Sequence, residues 1–468
     1  MVIVSAMQGI FRFALLCVAC LGPTLPLPLH AQGSAPHRLL GQNERFDLRF
    51  SHLDRVEFLQ GQYRHANNGS SDQVLIYRTT IEGRLKGESL DLSMEVLDAR
   101  QALADSGTPL TRRSVDAVNL QQLYVSWKWQ GLLEEGDDVR LHLGRQAMNI
   151  GTRRLVSRST SNVPVSFTGI SADVSRNNGD HWKAFAVVPV LNYPVSRQDI
   201  LSNRTEADRE SRGSHLYGIH GDLPGALRGL HSEFYAFHLR EEDAGEEQVA
   251  DLRLSSIGTH LYTGAAPGAL DYDLETVLQF GTSRATDDVS DVRDLRHRAF
   301  FTHMALGYSI EAPMRPYAQL LYDYASGDRD PTDDENNGYD TFFGARRSEF
   351  GPSSLYGPFT RTNLSTLGLR LTLSPRPDVE MIFTLRQFDL AQSRDAWGNT
   401  GWQDSSGRSG RHLGRHLETR LRWDAIAGNL EVDTGLVWLR TGEFPRRVAA
   451  GTMPSLSRYA YLQTRLSF

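Results

Sequence analysis

The chain has 468 residues, 23% of them charged, and a formal net charge of −6. A net negative charge excludes a protein that binds nucleic acid through a bulk positive field. Its two cysteines, Cys17 and Cys20, both precede residue 32, which excludes a disulfide scaffold or a thiol nucleophile in the rest of the chain.

The first 31 residues predict a secretory signal peptide. One charge, Arg12, precedes the short apolar run FALLCVACLG, and the small residue Ala31 marks the expected cleavage site. The apolar run is shorter than the roughly 20 residues that a membrane-spanning helix needs. A lipoprotein acylated at Cys20 is the alternative. We assign residues 1–31 to the signal peptide and 32–468 to one secreted domain.

From Glu44 to Phe468, about eighteen short segments alternate apolar and polar residues. A period of two residues is the signature of a β-strand with two different faces. Short turns such as 177–180 mostly alternate with long loops such as 326–360, which is typical of outer-membrane barrels. The sequence therefore predicts an all-β, transmembrane antiparallel β-barrel of about 18 strands in the bacterial outer membrane. Its short turns are expected to be periplasmic and its long loops extracellular.

The alternation also assigns the two faces of each strand. Near the C-terminus, Leu417 and Leu421 alternate with Glu418 and Arg420. A charged side chain that faces lipid costs about 2–4 kcal/mol at the bilayer midplane, so the charged face is expected to line the lumen. The alternative is an ordinary sheet whose polar face meets bulk water.

Arginines outnumber lysines on the expected lumen face, with acidic residues between them. A guanidinium group binds a carboxylate bidentately, so unpaired lumen arginines predict a pore that favours anions. The expected pore-lining arginines on strands are Arg49, Arg78, Arg84, Arg140, Arg370, Arg386, Arg420, Arg422 and Arg465. The expected acidic partners are Glu275, Asp323, Glu418, Glu431 and Asp433.

Four blocks of the chain resemble the alginate export family of outer-membrane barrels. They are LQQLYVSW with LHLGRQAMNIGTRRLV, the stretch around YASGD at 324–328, HLETRLRW with NLEVDTGLVWLRTGEF, and the terminal YAYLQTRLSF. The resemblance implies a monomeric barrel of eighteen strands that passes an acidic polysaccharide outward through an arginine-lined pore. It also implies pore roles for Arg145, Arg153, Arg154, Asp323 and Asp328. The turn 424–428 departs from the family's alginate exporter, which has a longer gating loop there.

The predicted function is an outer-membrane channel for an anionic polysaccharide, such as an alginate-like polyuronate. Two alternatives stay open: a general porin for small organic acids or sugars, and a plugged barrel with a structural or adhesive role. The sequence contains no nucleophile, metal-ligand or nucleotide-binding motif, so we expect no enzyme, no bound metal and no cofactor.

The acidic run in loop 326–360 is the one candidate site for Ca²⁺, because hard carboxylate oxygens suit that ion. The expected partners are outer-membrane lipid and lipopolysaccharide, the anionic polysaccharide, and periplasmic export machinery. Nucleic acid is not an expected partner.

Overall fold

The computed structural model describes residues 45–65, 71–158, 161–227, 229–244, 250–345 and 347–468. The predicted signal peptide, residues 1–31, lies outside these ranges. Within them, no helix is both long and apolar enough to cross a membrane.

Eighteen long strands account for most of the described chain. They are β1 (Phe46–Gln60), β2 (Ser71–Lys86), β3 (Leu90–Ala102), β4 (Asp116–Gln130), β5 (Asp138–Gln146), β6 (Phe167–Ser175), β7 (His181–Leu191), β8 (Ser214–Asp222), β9 (His231–Glu241), β10 (Leu252–Tyr262), β11 (Leu270–Ser283), β12 (Leu295–Ser309), β13 (Tyr317–Ala325), β14 (Leu364–Arg376), β15 (Val379–Asp389), β16 (His412–Ile426), β17 (Leu430–Thr441) and β18 (Leu456–Ser467).

The remaining elements are short and lie in loops. They are the two-residue strands Arg209–Glu210 and Glu335–Asn336, the helices α1 (Arg197–Leu201), α2 (Arg347–Phe350) and α3 (Glu443–Val448), and a 3₁₀ turn at Gly398–Thr400.

The long strands form one closed sheet. Each pairs antiparallel with the next in the chain. In addition, β1 pairs with β18, from Ser51 opposite Ser467 to Gln60 opposite Arg458. Closure leaves no unpaired sheet edge, as a lipid environment requires. The predicted barrel of about 18 strands is confirmed.

The predicted alternation of turns and loops is also confirmed. Short turns such as 377–378 and 427–429 lie at the end of the barrel that carries both termini, the inner end. Long loops such as 192–213 and 390–411 lie at the opposite, outer end. The two faces differ as expected: Leu92 and Met94 are exposed on the outside, whereas the alternate residues of β3 are buried inside.

Two of the long loops fold into the barrel. We call residues 147–166 the first inner loop and residues 326–363 the second inner loop. Their backbones pair: the Phe343 N–H donates to the Leu155 carbonyl (2.9 Å), and the Ser157 N–H donates to the Phe343 carbonyl (3.2 Å). The interior of the barrel therefore holds a core made by loops as well as by the wall.

Aromatic side chains of the second inner loop pack against the inward face of the barrel wall. Tyr339 of the second inner loop stacks on Phe301 of β12, and Phe359 stacks on Phe388 of β15 with ring centroids 3.6 Å apart. Phe350 packs beside the same Phe388. We call the inward faces of β9–β15, with the residues packed on them, the packed half. The inward faces of β1–β3 and β18 are called the open half.

Candidate pore

The open half begins at the outer end with a cavity of about 670 Å³, the outer chamber. Four arginines line it: Arg64, Arg113, Arg197 and Arg361. Many of its other lining residues carry hydroxyl or amide groups, and none of the described lining residues is Asp or Glu. The chamber therefore offers donors for carboxylates and partners for sugar hydroxyls, without a fixed negative charge in its wall.

Below the chamber lies a smaller cavity of about 140 Å³, the neck. Its arginines are Arg55, Arg78 and Arg465, and no carboxylate is among its described lining residues. The neck adjoins the outer chamber, because four residues line both cavities. Those shared residues are Ser161, Asn162, Ser353 and Ser354.

The inner end of the open half is a cavity of about 360 Å³, the inner vestibule. Here Arg49 and Arg158 lie among the acids Asp47, Glu82 and Glu95. On β1, every second residue faces the lumen, so successive inward residues lie about 7 Å apart. They run from Arg49 in the vestibule to Arg55 in the neck. We call the outer chamber, neck and inner vestibule together the arginine route.

Two wall arginines hold the inner loops that shape the neck. Arg78 Nη1 donates to the carbonyls of Ser161 (3.2 Å) and Asn162 (2.8 Å) in the first inner loop. Arg55 donates to the Ser353 carbonyl (3.4 Å) in the second and also pairs with the buried Glu57 (3.0 Å). The neck thus has two walls of backbone, each fixed to the barrel by a guanidinium group.

Of the expected pore arginines on strands, Arg49, Arg78 and Arg465 line the arginine route. Arg49 also pairs with Asp47 (2.9 Å), and Arg465 lies 3.6 Å from Glu431. Most of the other strand arginines are neutralised by acids close by in the wall. These pairs are Arg84–Asp91, Arg140–Asp138, Arg386–Asp323, Arg420–Asp433, and Arg422 with Glu380 and Glu431, at 2.6–3.7 Å.

The packed half contains a fourth cavity, of about 400 Å³. Arg370 and Arg386 line it together with His260 and Glu349. Around it, histidines alternate with carboxylates from strand to strand. His260 lies between Glu233 (3.2 Å) and Asp273 (3.1 Å), and His303 lies 2.6 Å from Asp323. Charges are paired here, so this cavity has no uniform basic wall.

Arg154 is part of the core and does not stand on the barrel wall. It lies in the first inner loop, and its guanidinium group contacts Glu275 of β11 and Glu349 of the second inner loop. Burial alone would raise the pKa of Glu349, but Arg154 and Arg361 hold that pKa well below its usual range. Glu275 and Arg154 therefore serve to fix the two inner loops in the lumen.

Arg145 is placed differently from the pore role that the resemblance implies. It has the parity of Leu143, which is exposed on the outer face of β5, and Gly144 separates the two. Its guanidinium group donates to Glu210 (2.7 Å) and to the Leu120 carbonyl (2.8 Å) near the outer rim. Because these contacts lie on the outward parity of the wall, the expectation that Arg145 lines the pore is wrong.

Arg153 and Asp328 also lie off the strands. Arg153 is an exposed residue of the first inner loop with a φ of +65°, and its carbonyl accepts the Ala345 N–H (2.9 Å). Asp328 is half-buried in the second inner loop, where it accepts the Asn337 N–H (3.4 Å). The expected acid Glu418 is on β16, buried on its inward face.

The acidic run of the second inner loop makes local contacts. Asp330 accepts hydrogen bonds from Thr332, and Asp333 accepts the Glu335 N–H (2.8 Å). The part of the chain that the structure describes has no group of three or more His, Cys, Asp or Glu side chains placed to hold a metal ion. Binding of Ca²⁺ there stays a prediction.

Sequence reasoning missed most arginines of the route. Arg64, Arg113, Arg197 and Arg361 lie in loops, where no alternation of faces exists to assign them. Arg55 did carry a signal, because it has the same parity on β1 as Arg49.

A family model described as alginate export matches residues 45–457. No curated protein matches the chain significantly. Solved barrels of Pseudomonas aeruginosa are similar in structure. OpdO is 14% identical, with a TM-score of 0.53, over 91% of this chain and 97% of that chain. OccK8 (OprE) is 12% identical, with a TM-score of 0.56, over 90% and 98%. OpdK with vanillate is 12% identical, with a TM-score of 0.55, over 90% and 98%. At these identities the likeness shows the fold alone.

Proposed function

The chain belongs to the alginate export family, and we propose that this outer-membrane channel passes a carboxylated polysaccharide, such as a polyuronate, along its arginine route. One observation carries the proposal: seven arginines line the outer chamber and the neck, and four of them form no ion pair with an acid of the described residues. Those four are Arg64, Arg78, Arg113 and Arg197, whereas Arg55 and Arg361 are neutralised by Glu57 and Glu349. The protein resides in the bacterial outer membrane. We further propose that it acts as a monomer, and that periplasmic export machinery delivers the polymer to the inner vestibule.

The chemistry of the route suits a polymer with one carboxylate on each sugar. In the neck, the guanidinium groups of Arg78 and Arg465 replace the water around a carboxylate with charge-assisted hydrogen bonds. Several sites in a row allow each carboxylate to leave one site as the next is reached, which keeps binding reversible. Serine, asparagine and glutamine side chains beside them match the hydroxyl groups of a sugar.

The charge of the route changes along its length. In the inner vestibule, Arg158 contacts Glu95 and Arg49 pairs with Asp47, so the periplasmic entrance has mixed charge. The neck and outer chamber are basic only. An anion therefore gains attraction as it moves from the inner to the outer end.

A second candidate function is the passage of small organic acids or sugars. The observation that favours it is the volume of the neck, about 140 Å³, between two loops held to the wall. A small solute would pass such a neck without the threading that a polymer requires.

Purified protein in a planar bilayer tests the proposal. We expect anion-selective conductance that a polyuronate blocks and a neutral glucan of equal length does not. Changing Arg78→Gln together with Arg465→Gln should weaken both the block and the selectivity. Arg84→Gln is the matched control, because Arg84 is paired with Asp91 and Lys128 still neutralises that acid (3.0 Å).

The outcomes separate the candidates. Equal block by the glucan, or unchanged selectivity in the double variant, would contradict the proposal. Permeation of a monouronate with no block by the polymer would favour small acids. Absence of conductance would favour a plugged barrel with a structural or adhesive role.

A further inference from the structure

Three arginines stand on the outward face of the barrel at its outer end. They are Arg415 of β16, Arg440 of β17 and Arg458 of β18, and all are exposed. Arg415 has the outward parity of Leu417, and it lies directly opposite Arg440. Arg458 is on the next strand and one step further from the outer end, opposite Trp438. They form one cluster, which we call the outer arginine triad.

No acid of the described chain pairs with the outer arginine triad. The one described hydrogen bond of the triad joins Arg458 to the side-chain oxygen of Gln60 (3.2 Å). Acids on the adjoining elements are engaged elsewhere: Asp389 with His412 (2.9 Å), and Glu443 with Arg447 (2.6 Å). Like charges directly opposite each other in a sheet are destabilising, so this arrangement favours an anion from outside the chain.

The opposite side of the barrel has a similar pair that is neutralised. Arg240 of β9 lies directly opposite Arg253 of β10, on the same outward face and close to the outer end. Glu242 contacts both guanidinium groups, at 2.6 Å and 2.7 Å. At this pair the chain itself supplies the carboxylate that neutralises the two arginines. It supplies none at Arg415 and Arg440 among the described residues.

We propose that the outer arginine triad binds a phosphate group of a phosphorylated outer-leaflet lipid, the lipid A part of lipopolysaccharide. Guanidinium groups bind phosphate bidentately, and basic clusters beside membrane-spanning segments bind anionic lipid headgroups. Leu417 and Leu385 are exposed on the same face, further from the outer end, where acyl chains would lie. The ligand therefore needs an anionic head above an apolar tail. This site faces lipid, and it does not depend on the substrate of the pore.

Native mass spectrometry of the detergent-solubilised protein with bisphosphorylated lipid A tests this site. We expect Arg415→Gln with Arg440→Gln to weaken lipid retention about tenfold, since hydrogen bonds to a charged group are lost. Arg240→Gln with Arg253→Gln is the matched control and should retain the lipid as the unchanged protein does. Lipid A stripped of its phosphates should be retained weakly by all three proteins.

Several results would overturn the proposal. Equal loss of lipid in both double variants, or retention of dephosphorylated lipid as strong as that of the phosphorylated form, would show an ordinary apolar annulus. Heat-modifiable gel mobility reports whether each barrel is folded. If the double variant does not fold, Arg458→Gln alone should give a smaller loss of retention, and no loss would overturn the site. Conductance should be unchanged in every folded variant.

Discussion

The two halves of the barrel interior use the same residue types to opposite effect. In the packed half, Arg154 pairs with Glu275 and Glu349, and Arg386 pairs with Asp323, so both charges are neutralised within the protein. In the open half, Arg78 binds only backbone carbonyls among the described residues and keeps its charge for the cavity. An inward arginine is therefore evidence for a conducting surface only where no carboxylate lies beside it.

The largest effect should come from Arg154→Ala in the packed half. The change leaves the buried carboxylate of Glu275 without its guanidinium partner and costs about 3–5 kcal/mol, as for other broken buried pairs. Urea unfolding of the reconstituted barrel should show the loss. Arg153→Ala is the control, because its exposed side chain should contribute little. Equal stabilities of the two variants would contradict the structural role of the packed half.

A smaller effect, on selectivity rather than stability, is expected in the open half. Arg113→Glu places a negative charge in the wall of the outer chamber, where the described lining holds none. The ratio of anion to cation permeability, taken from reversal potentials in a salt gradient, should fall. Arg112→Glu alters the neighbouring residue, which does not line the chamber, and should leave the ratio close to its original value. A fall of equal size in both variants would mean that only net charge matters.

The smallest effect concerns pH and the contact between two outer loops. Burial raises the pKa of Asp395, and Asp395 accepts the backbone N–H of Asp328 (2.7 Å), whose own pKa is also raised by burial. A carboxyl with a raised folded pKa stabilises the fold at low pH, and this contribution is lost as pH rises through that pKa. The contact should therefore be tighter at about pH 4, close to the ordinary pKa of a carboxyl, than at about pH 7.5.

Hydrogen exchange of residues 326–340, corrected for intrinsic rates, measures this contact. Protection should increase on acidification in the unchanged protein. Asp395→Asn should remove most of the increase, because the amide does not titrate. An increase of the same size in that variant would assign the pH dependence to other groups.

The sequence predicted the wall of the barrel better than its contents. Alternation along each strand identified the inward residues correctly, as at Arg78 and Arg420, because the period of a strand is a local property. It did not distinguish these two, since pairing depends on register. Asp433 of the neighbouring strand forms an ion pair with Arg420, whereas no ion pair joins Arg78 to an acid of the described residues. Loops carry no period, so Arg113, between β3 and β4, and Arg361, in the second inner loop, were not predicted. The pore role implied for Arg145 was wrong because a family motif does not say which face of a strand its residues occupy.

Single cysteines test most directly whether anions pass through the arginine route. The chain has two cysteines, both before residue 32, so Ser161→Cys in the neck and Gln319→Cys in the packed-half cavity are readily labelled in its domain. A bulky anionic thiol reagent is applied during bilayer recording. We predict loss of most of the current for Ser161→Cys and little change for Gln319→Cys. Loss of current for Gln319→Cys alone would contradict the account.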